Sequence, residues 1–145
     1  MRIRGPWTRE RVDAFLRETL VPVRLAHAAR DGHPEVLSLW FTWRDGALWC
    51  ATSPRARVVE RLRLEPRCGF EVAPDTPPYR GVRGRGRAEL LPERGGEVLA
   101  ALVDRYLGTR DSSFARWLLA RAEHEVAIRI APERVSTWDF GERMR

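Results

Sequence analysis

The stretch from Val36 to Val72, VLSLWFTWRDGALWCATSPRARVVERLRLEPRCGFEV, changes its hydrophobic rhythm several times, and few folds tolerate that order of elements. Val36 to Trp43 is β-branched, aromatic and leucine-rich. With a period of two, Leu37, Leu39, Phe41 and Trp43 share one face, and Val36, Ser38, Trp40 and Thr42 share the other. Neither face is clearly polar. The expectation is a strand covered on both sides, one by core and one by something apolar that also hydrogen-bonds. Asp45-Gly46 supplies a positive-φ hairpin turn, and Ala47 to Ala51 returns as the partner strand.

Thr52-Ser53-Pro54-Arg55-Ala56-Arg57 follows. Ser53 suits a helix N-cap and Pro54 the first helical position, so a helix is expected to begin here. Arg55 and Arg57 then fall in its first turn, where a lone helix favours carboxylates over guanidinium groups. A bound phosphate or other anion would resolve the conflict. The other reading is a solvated basic helix, with Arg55, Arg57, Arg61 and Arg63 in water and Val58, Val59 and Leu62 packed inward.

The flanking sequence continues in short elements. Thr8 caps a helix whose stripe is Val12, Phe15, Leu16 and Leu20. Pro22 ends it, and Val23 to Ala29 is a strand leading to a turn at Arg30-Asp31-Gly32-His33-Pro34. Two successive hairpins with Asp-Gly turns predict an antiparallel meander. After the loop at Ala73 to Pro78, period two returns from Tyr79 to Leu91. Val82, Gly84, Gly86, Ala88 and Leu90 face one way, and Arg83, Arg85, Arg87 and Glu89 the other. The small residues predict tight curvature or a close neighbour, and the arginine row a solvated face, an anionic pocket or a subunit contact. Pro92 opens a second helix that Gly108 stops. Asp111-Ser112-Ser113 caps a third, expected to bury Phe114, Trp117 and Leu118. Val126 to Ile130 and Val135 to Phe140 read as two last strands divided by a turn at Pro132. The whole, 1–145, is expected to be one domain of mainly β class with α additions, a six- to seven-stranded antiparallel barrel with helices packed outside.

Composition narrows the function. The net charge of +6 comes from arginine alone, because the chain has no lysine, and this excludes Schiff-base lysine chemistry. The arginines are spread among carboxylates without a nucleic-acid-binding signature, so no nucleic-acid partner is expected. No apolar run approaches the ~20 residues of a membrane span, and MRIRGPWTRER lacks a signal peptide's apolar centre, so a cytoplasmic protein is expected. Cys50 and Cys68 read as buried, inert thiols, and His27, His33 and His124 show no metal-ligand spacing.

In order and spacing, DGHPEVLSLWF, DGALWCATSPRARVVERLRLEPRCGFEV, PPYRGVRGRGRAEL and RIAPERVSTWDFG resemble the pyridoxamine 5′-phosphate oxidase-like flavin-binding split barrels, including their deazaflavin (F420)-dependent relatives. The resemblance implies a split barrel, a homodimer and a coenzyme in each of two grooves between subunits. Thr52, Ser53, Arg55 and Arg57 match the phosphate-binding cluster. Leu39, Trp40 and Phe41 match the strand whose backbone follows the ring system, with Ala51 opposite. Tyr79, Arg80 and Trp138 match positions supplied by the partner subunit. The implied activity is hydride transfer to or from a small conjugated or quinone-like substrate, with FMN as coenzyme and F420 as the alternative. Vitamin B6 oxidation is not expected, because the family's Arg- and His-rich substrate segment has no match in Gly141 to Arg145. The reading from another class is a non-catalytic flavin- or haem-binding module, with His27 as its axial ligand.

Overall fold

The computed structural model describes residues 1–145. Its strands are β1 (Arg2–Arg4), β2 (Val23–Ala28), β3 (Pro34–Leu39), β4 (Thr42–Arg44), β5 (Ala47–Thr52), β6 (Arg67–Val72), β7 (Arg80–Leu91) and β8 (Val126–Asp139). They form one sheet in the order β3-β2-β6-β7-β8-β5-β4, with β1 added in parallel beside β8. Four helices surround it: α1 (Arg9–Glu18), α2 (Arg57–Leu64), α3 (Gly95–Leu107) and α4 (Ser113–Leu119).

This order replaces the expected meander. Strands β3 and β4 close opposite ends of the hydrogen-bonded sheet, yet only Trp40 and Phe41 separate them in the chain. Two residues span too little distance to cross an open sheet, so the sheet curls until its ends meet, giving a half-barrel. Trp40 and Phe41 belong to no strand. The Phe41 N–H instead donates to the Tyr106 hydroxyl at 3.2 Å, and that hydroxyl donates to the Val21 carbonyl at 3.3 Å. One side chain from α3 thereby satisfies the backbone where the ladder stops.

Leu25, Phe41, Leu48, Ile128 and Ile130 are fully buried inside the curl, together with Val12 and Leu16 of α1 and Val59 and Leu62 of α2. Strand β5 is buried on both faces. Leu48 and Cys50 point into this core, while Ala47 and Trp49 pack with Val98 and Leu102 of α3. The outward face of β3 is open: Val36 is 66% exposed, against the expectation of cover on both sides.

Local chemistry explains the remaining boundaries. The Thr8 hydroxyl accepts from the Arg11 N–H at 3.3 Å and caps α1 as expected, although Leu20 lies beyond that helix and is exposed. Asp45 (φ 51°) and Gly46 (φ 68°) make the two-residue turn between β4 and β5. The Ser53 hydroxyl does not cap α2. It accepts from the Arg55 N–H at 3.2 Å, and the Ser53 carbonyl accepts from Ala56 N–H at 3.0 Å, so Ser53 to Ala56 is a separate turn and the helix starts at Arg57. Pro54 suits the second position of such a turn as well as it suits a helix start. Pro132 does not divide the last strand either. It pairs with Gly86 where a bulge shifts the β7–β8 register, a place that tolerates a residue without an N–H. Helix α4 buries Ala115 rather than its aromatic residues, leaving Phe114 and Trp117 48% and 57% exposed.

On the outer surface Arg2 stands opposite Arg134, and Arg134 opposite Arg85. The Arg134 guanidinium is held below its usual range by Arg85, then by Arg4, burial and Arg2. On the inward side of β7, a Cβ at Gly84 would lie 2.6 Å from the Arg134 carbonyl and 2.7 Å from the Phe70 ring. Gly84→Ala is therefore expected to destabilise the fold by ~1–3 kcal/mol through overpacking. Urea unfolding measures it, and an unchanged midpoint would show that the curl has slack there.

Candidate functional site

The seam where the sheet ends meet encloses a cavity of about 250 Å³. Ser38, Leu39 and Trp40 reach it from the end of β3, and Ala51, Thr52 and Ser53 from the end of β5. These two segments are brought together by the curl of the sheet, since β3 and β5 are not hydrogen-bonded neighbours. Leu99 and Leu102 of α3 and Leu118 of α4 supply an apolar wall, and Arg121 and Glu125 complete it from the connection that leads into β8. Larger depressions of about 640 and 510 Å³ run along β2, β6 and β7. His27, the expected haem ligand, lines the first, and Arg83 and Arg85 of the arginine row line them, but none of the expected flavin-site residues does.

Five of the expected positions, Leu39, Trp40, Ala51, Thr52 and Ser53, converge on this cavity. Phe41, expected beside them, does not line it: its ring is wholly buried in the core and its N–H is taken by Tyr106. Arg55 and Arg57 stand just beyond Ser53. Both are exposed, and their guanidinium groups have neither a salt-bridge nor a hydrogen-bond partner in the chain. Helix α2 also begins without a side-chain cap, so the Arg57 and Val58 amides keep their donors, while the Val59 N–H is taken by the Ala56 carbonyl at 3.0 Å. One turn further on, at the i, i+4 position from Arg57, the Arg61 side chain is 14% exposed. Its Nε and Nη1 lack hydrogen-bond partners, and Glu60 is 3.9 Å away. Glu60 is itself engaged by Arg30. A helical start with free amides, two unpaired arginines and a third partly orphaned below them fits a phosphate-bearing group.

Tyr79, Arg80 and Trp138 lie elsewhere. Trp138 is opposite Gly81, and Arg80 opposite Asp139, while Thr52 pairs with Val126 at the other end of β8. The length of β8 puts roughly 40 Å of strand between them. Within one chain these three do not reach the cavity. The Tyr79 carbonyl accepts from Phe140 N–H at 2.9 Å, and the Arg83 guanidinium lies 5.4 Å from the Trp138 ring centroid.

The spacing pattern does not single out Ser38, Leu118, Arg121 or Glu125, and it reads Leu99 and Leu102 only as a helix's core stripe. Glu125 carried one signal, a carboxylate immediately before an apolar strand. Burial pushes its carboxyl up from the usual range, and Arg121 partly offsets that. The Trp40 ring is parallel to that of Tyr106, with centroids 4.8 Å apart and planes 2° apart, and Phe114 meets it edge-on at 6.4 Å. Tyr106 thus fixes both the backbone and the side chain at the seam.

Comparison with known proteins gives the family and the fold. A family model described as pyridoxamine 5′-phosphate oxidase matches residues 8–138. A conserved hypothetical protein of Mycobacterium tuberculosis is similar at 26% identity and a TM-score of 0.79, over 92% of this chain and 86% of that one. A structure described as an F420 reductase is similar at 25% identity and a TM-score of 0.73, over 91% and 98%. The haem storage protein HutZ of Vibrio cholerae shares the fold at 16% identity and a TM-score of 0.66, over 88% and 92%. No curated protein matches the sequence.

Because the Tyr106 hydroxyl is the acceptor for a buried N–H, Tyr106→Phe is expected to cost ~1–3 kcal/mol. Denaturant unfolding and amide hydrogen exchange check it. An Phe41 amide protected equally in both proteins would overturn the assignment.

Proposed function

The chain belongs to the pyridoxamine 5′-phosphate oxidase family, and from that premise we propose that it is an FMN-dependent oxidoreductase. It acts on a small conjugated or quinone-like substrate and works as a homodimer. The observation that carries this reading is the junction of the seam cavity with the unpaired arginines at the start of α2. Thr52, Ser53, Arg55 and Arg57 would hold the coenzyme phosphate, with Arg61 adding charge from one turn below. The backbone of Leu39, Trp40 and Phe41 would run along the ring system, with Ala51 opposite. The bound coenzyme supplies hydride exchange at its central ring. The chain supplies orientation and exclusion of water, through the leucines of α3 and α4 and the fixed ring of Trp40.

The placement of Tyr79, Arg80 and Trp138 far from their own chain's cavity supports a dimer in which they serve the partner's coenzyme. The second reading, an F420-dependent reductase, is supported by the 25% identity to the F420 reductase and by the arginine stripe at positions 57 and 61, which suits a longer anionic tail. A haem-binding module has less support, since His27 does not line the cavity. Neither coenzyme reading requires a membrane, and no helix is long and apolar enough to cross one.

Absorption of the purified protein, or of protein titrated with each coenzyme, separates the yellow flavin band from the shorter-wavelength deazaflavin band. Turnover of a quinone or nitro acceptor separates an enzyme from a binding module. Arg57→Glu is expected to weaken coenzyme binding about tenfold or more, the loss of a charge-assisted contact worth ~1.5–3 kcal/mol. The melting temperature should hold or rise slightly, because Arg57 has no partner in the fold and a carboxylate suits the first turn of a helix. Unchanged affinity would move the phosphate elsewhere.

A further inference from the structure

Glu125 is the one carboxyl that reaches the seam cavity, and its hydrogen-bonding capacity is unspent there. Its side chain is 8% exposed, yet no donor in the chain hydrogen-bonds to it. The nearest cation, Arg121, stands 3.9 Å away, and its guanidinium lies 4.8 Å from the Trp117 ring centroid. The leucine walls offer nothing in exchange. The backbone around Glu125 is also fixed. A Cβ at Gly95 would come 1.8 Å from the Glu125 carbonyl, so the first turn of α3 rests directly on it, and the Glu125 N–H donates to Ala122 at 3.3 Å. A buried acceptor on an immobile support that opens into a cavity is arranged to meet a donor from outside the chain.

We propose that Glu125 is the specificity-determining residue of the cavity, accepting a hydrogen bond from an N–H or O–H on the edge of a flat conjugated substrate held beside Trp40. This rests on the cavity being the substrate side of a coenzyme site. Trp40 is the only aromatic residue lining it, and stacking on Tyr106 holds its ring in place. A pocket built around such an acceptor rejects the analogue lacking the donor more strongly than an apolar pocket rejects a change of one methyl group.

The test uses aminonaphthoquinone and methylnaphthoquinone substituted at the same quinone carbon, which match in shape and differ in the donor. Dissociation constants are measured by tryptophan fluorescence on the full chain, first alone and then with coenzyme bound. The amino compound should bind roughly tenfold more tightly or better. Glu125→Leu should bring the ratio to about one while leaving the methyl compound's affinity in place. Glu125→Gln, which keeps an acceptor oxygen, should retain part of the preference. Arg121→Ala should preserve or raise it, by freeing the carboxyl. Equal binding of the two compounds by the unaltered chain, a preference that survives Glu125→Leu, or one lost in Arg121→Ala would overturn the proposal. Failure of both FMN and F420 to bind would overturn the coenzyme reading alone, since the donor preference is scored before any is added.

Discussion

Closing a sheet between two strands that are chain neighbours but not hydrogen-bond neighbours requires a backbone partner from outside the sheet. The Tyr106 hydroxyl is that partner, taking the Phe41 N–H and giving its own proton to Val21. Because Tyr106 is on α3, the closure also fixes where α3 lies across β5 and β8. Its leucines then become the wall of the only cavity that gathers the expected site residues. The Trp40 ring, laid flat on Tyr106, is the same junction seen from the cavity side.

Much of this was legible residue by residue. Asp45-Gly46 fixed a two-residue turn, Thr8 and Ser112 named their helix caps, and the alternation of small and arginine residues along β7 predicted both its faces. The failures share a physical cause: they depend on distant parts of the chain. An apolar run from Val36 to Trp43 carries no mark of its interruption, because the acceptor at Phe41 comes from Tyr106, far along the chain. Pro132 reads as a breaker until a bulge opposite Gly86 leaves it no ladder bond to supply. Ser53-Pro54 has the chemistry of a helix start and of a turn alike, and the packing of Val58, Val59 and Leu62 decides where the helix begins.

The candidate site divides along the same line. Ser53, Arg55 and Arg57 form a local cluster, which spacing can detect. Glu125 is joined to that cluster only through the curl of the sheet, and its isolation from donors becomes visible only once α3 and α4 are in place. Family membership sets the kind of coenzyme to test. The charges and walls of this chain set the questions about its substrate.

The arginine file formed by Arg2, Arg134 and Arg85 has a consequence for solution behaviour. Three cations abreast, with Arg4 close by, repel one another across the strands. Dissolved electrolyte loosens ordinary surface ion pairs, but along this file it relieves a strain, so the β1–β8–β7 surface gains cohesion as ionic strength rises. Polyvalent anions would do the same at far lower concentration.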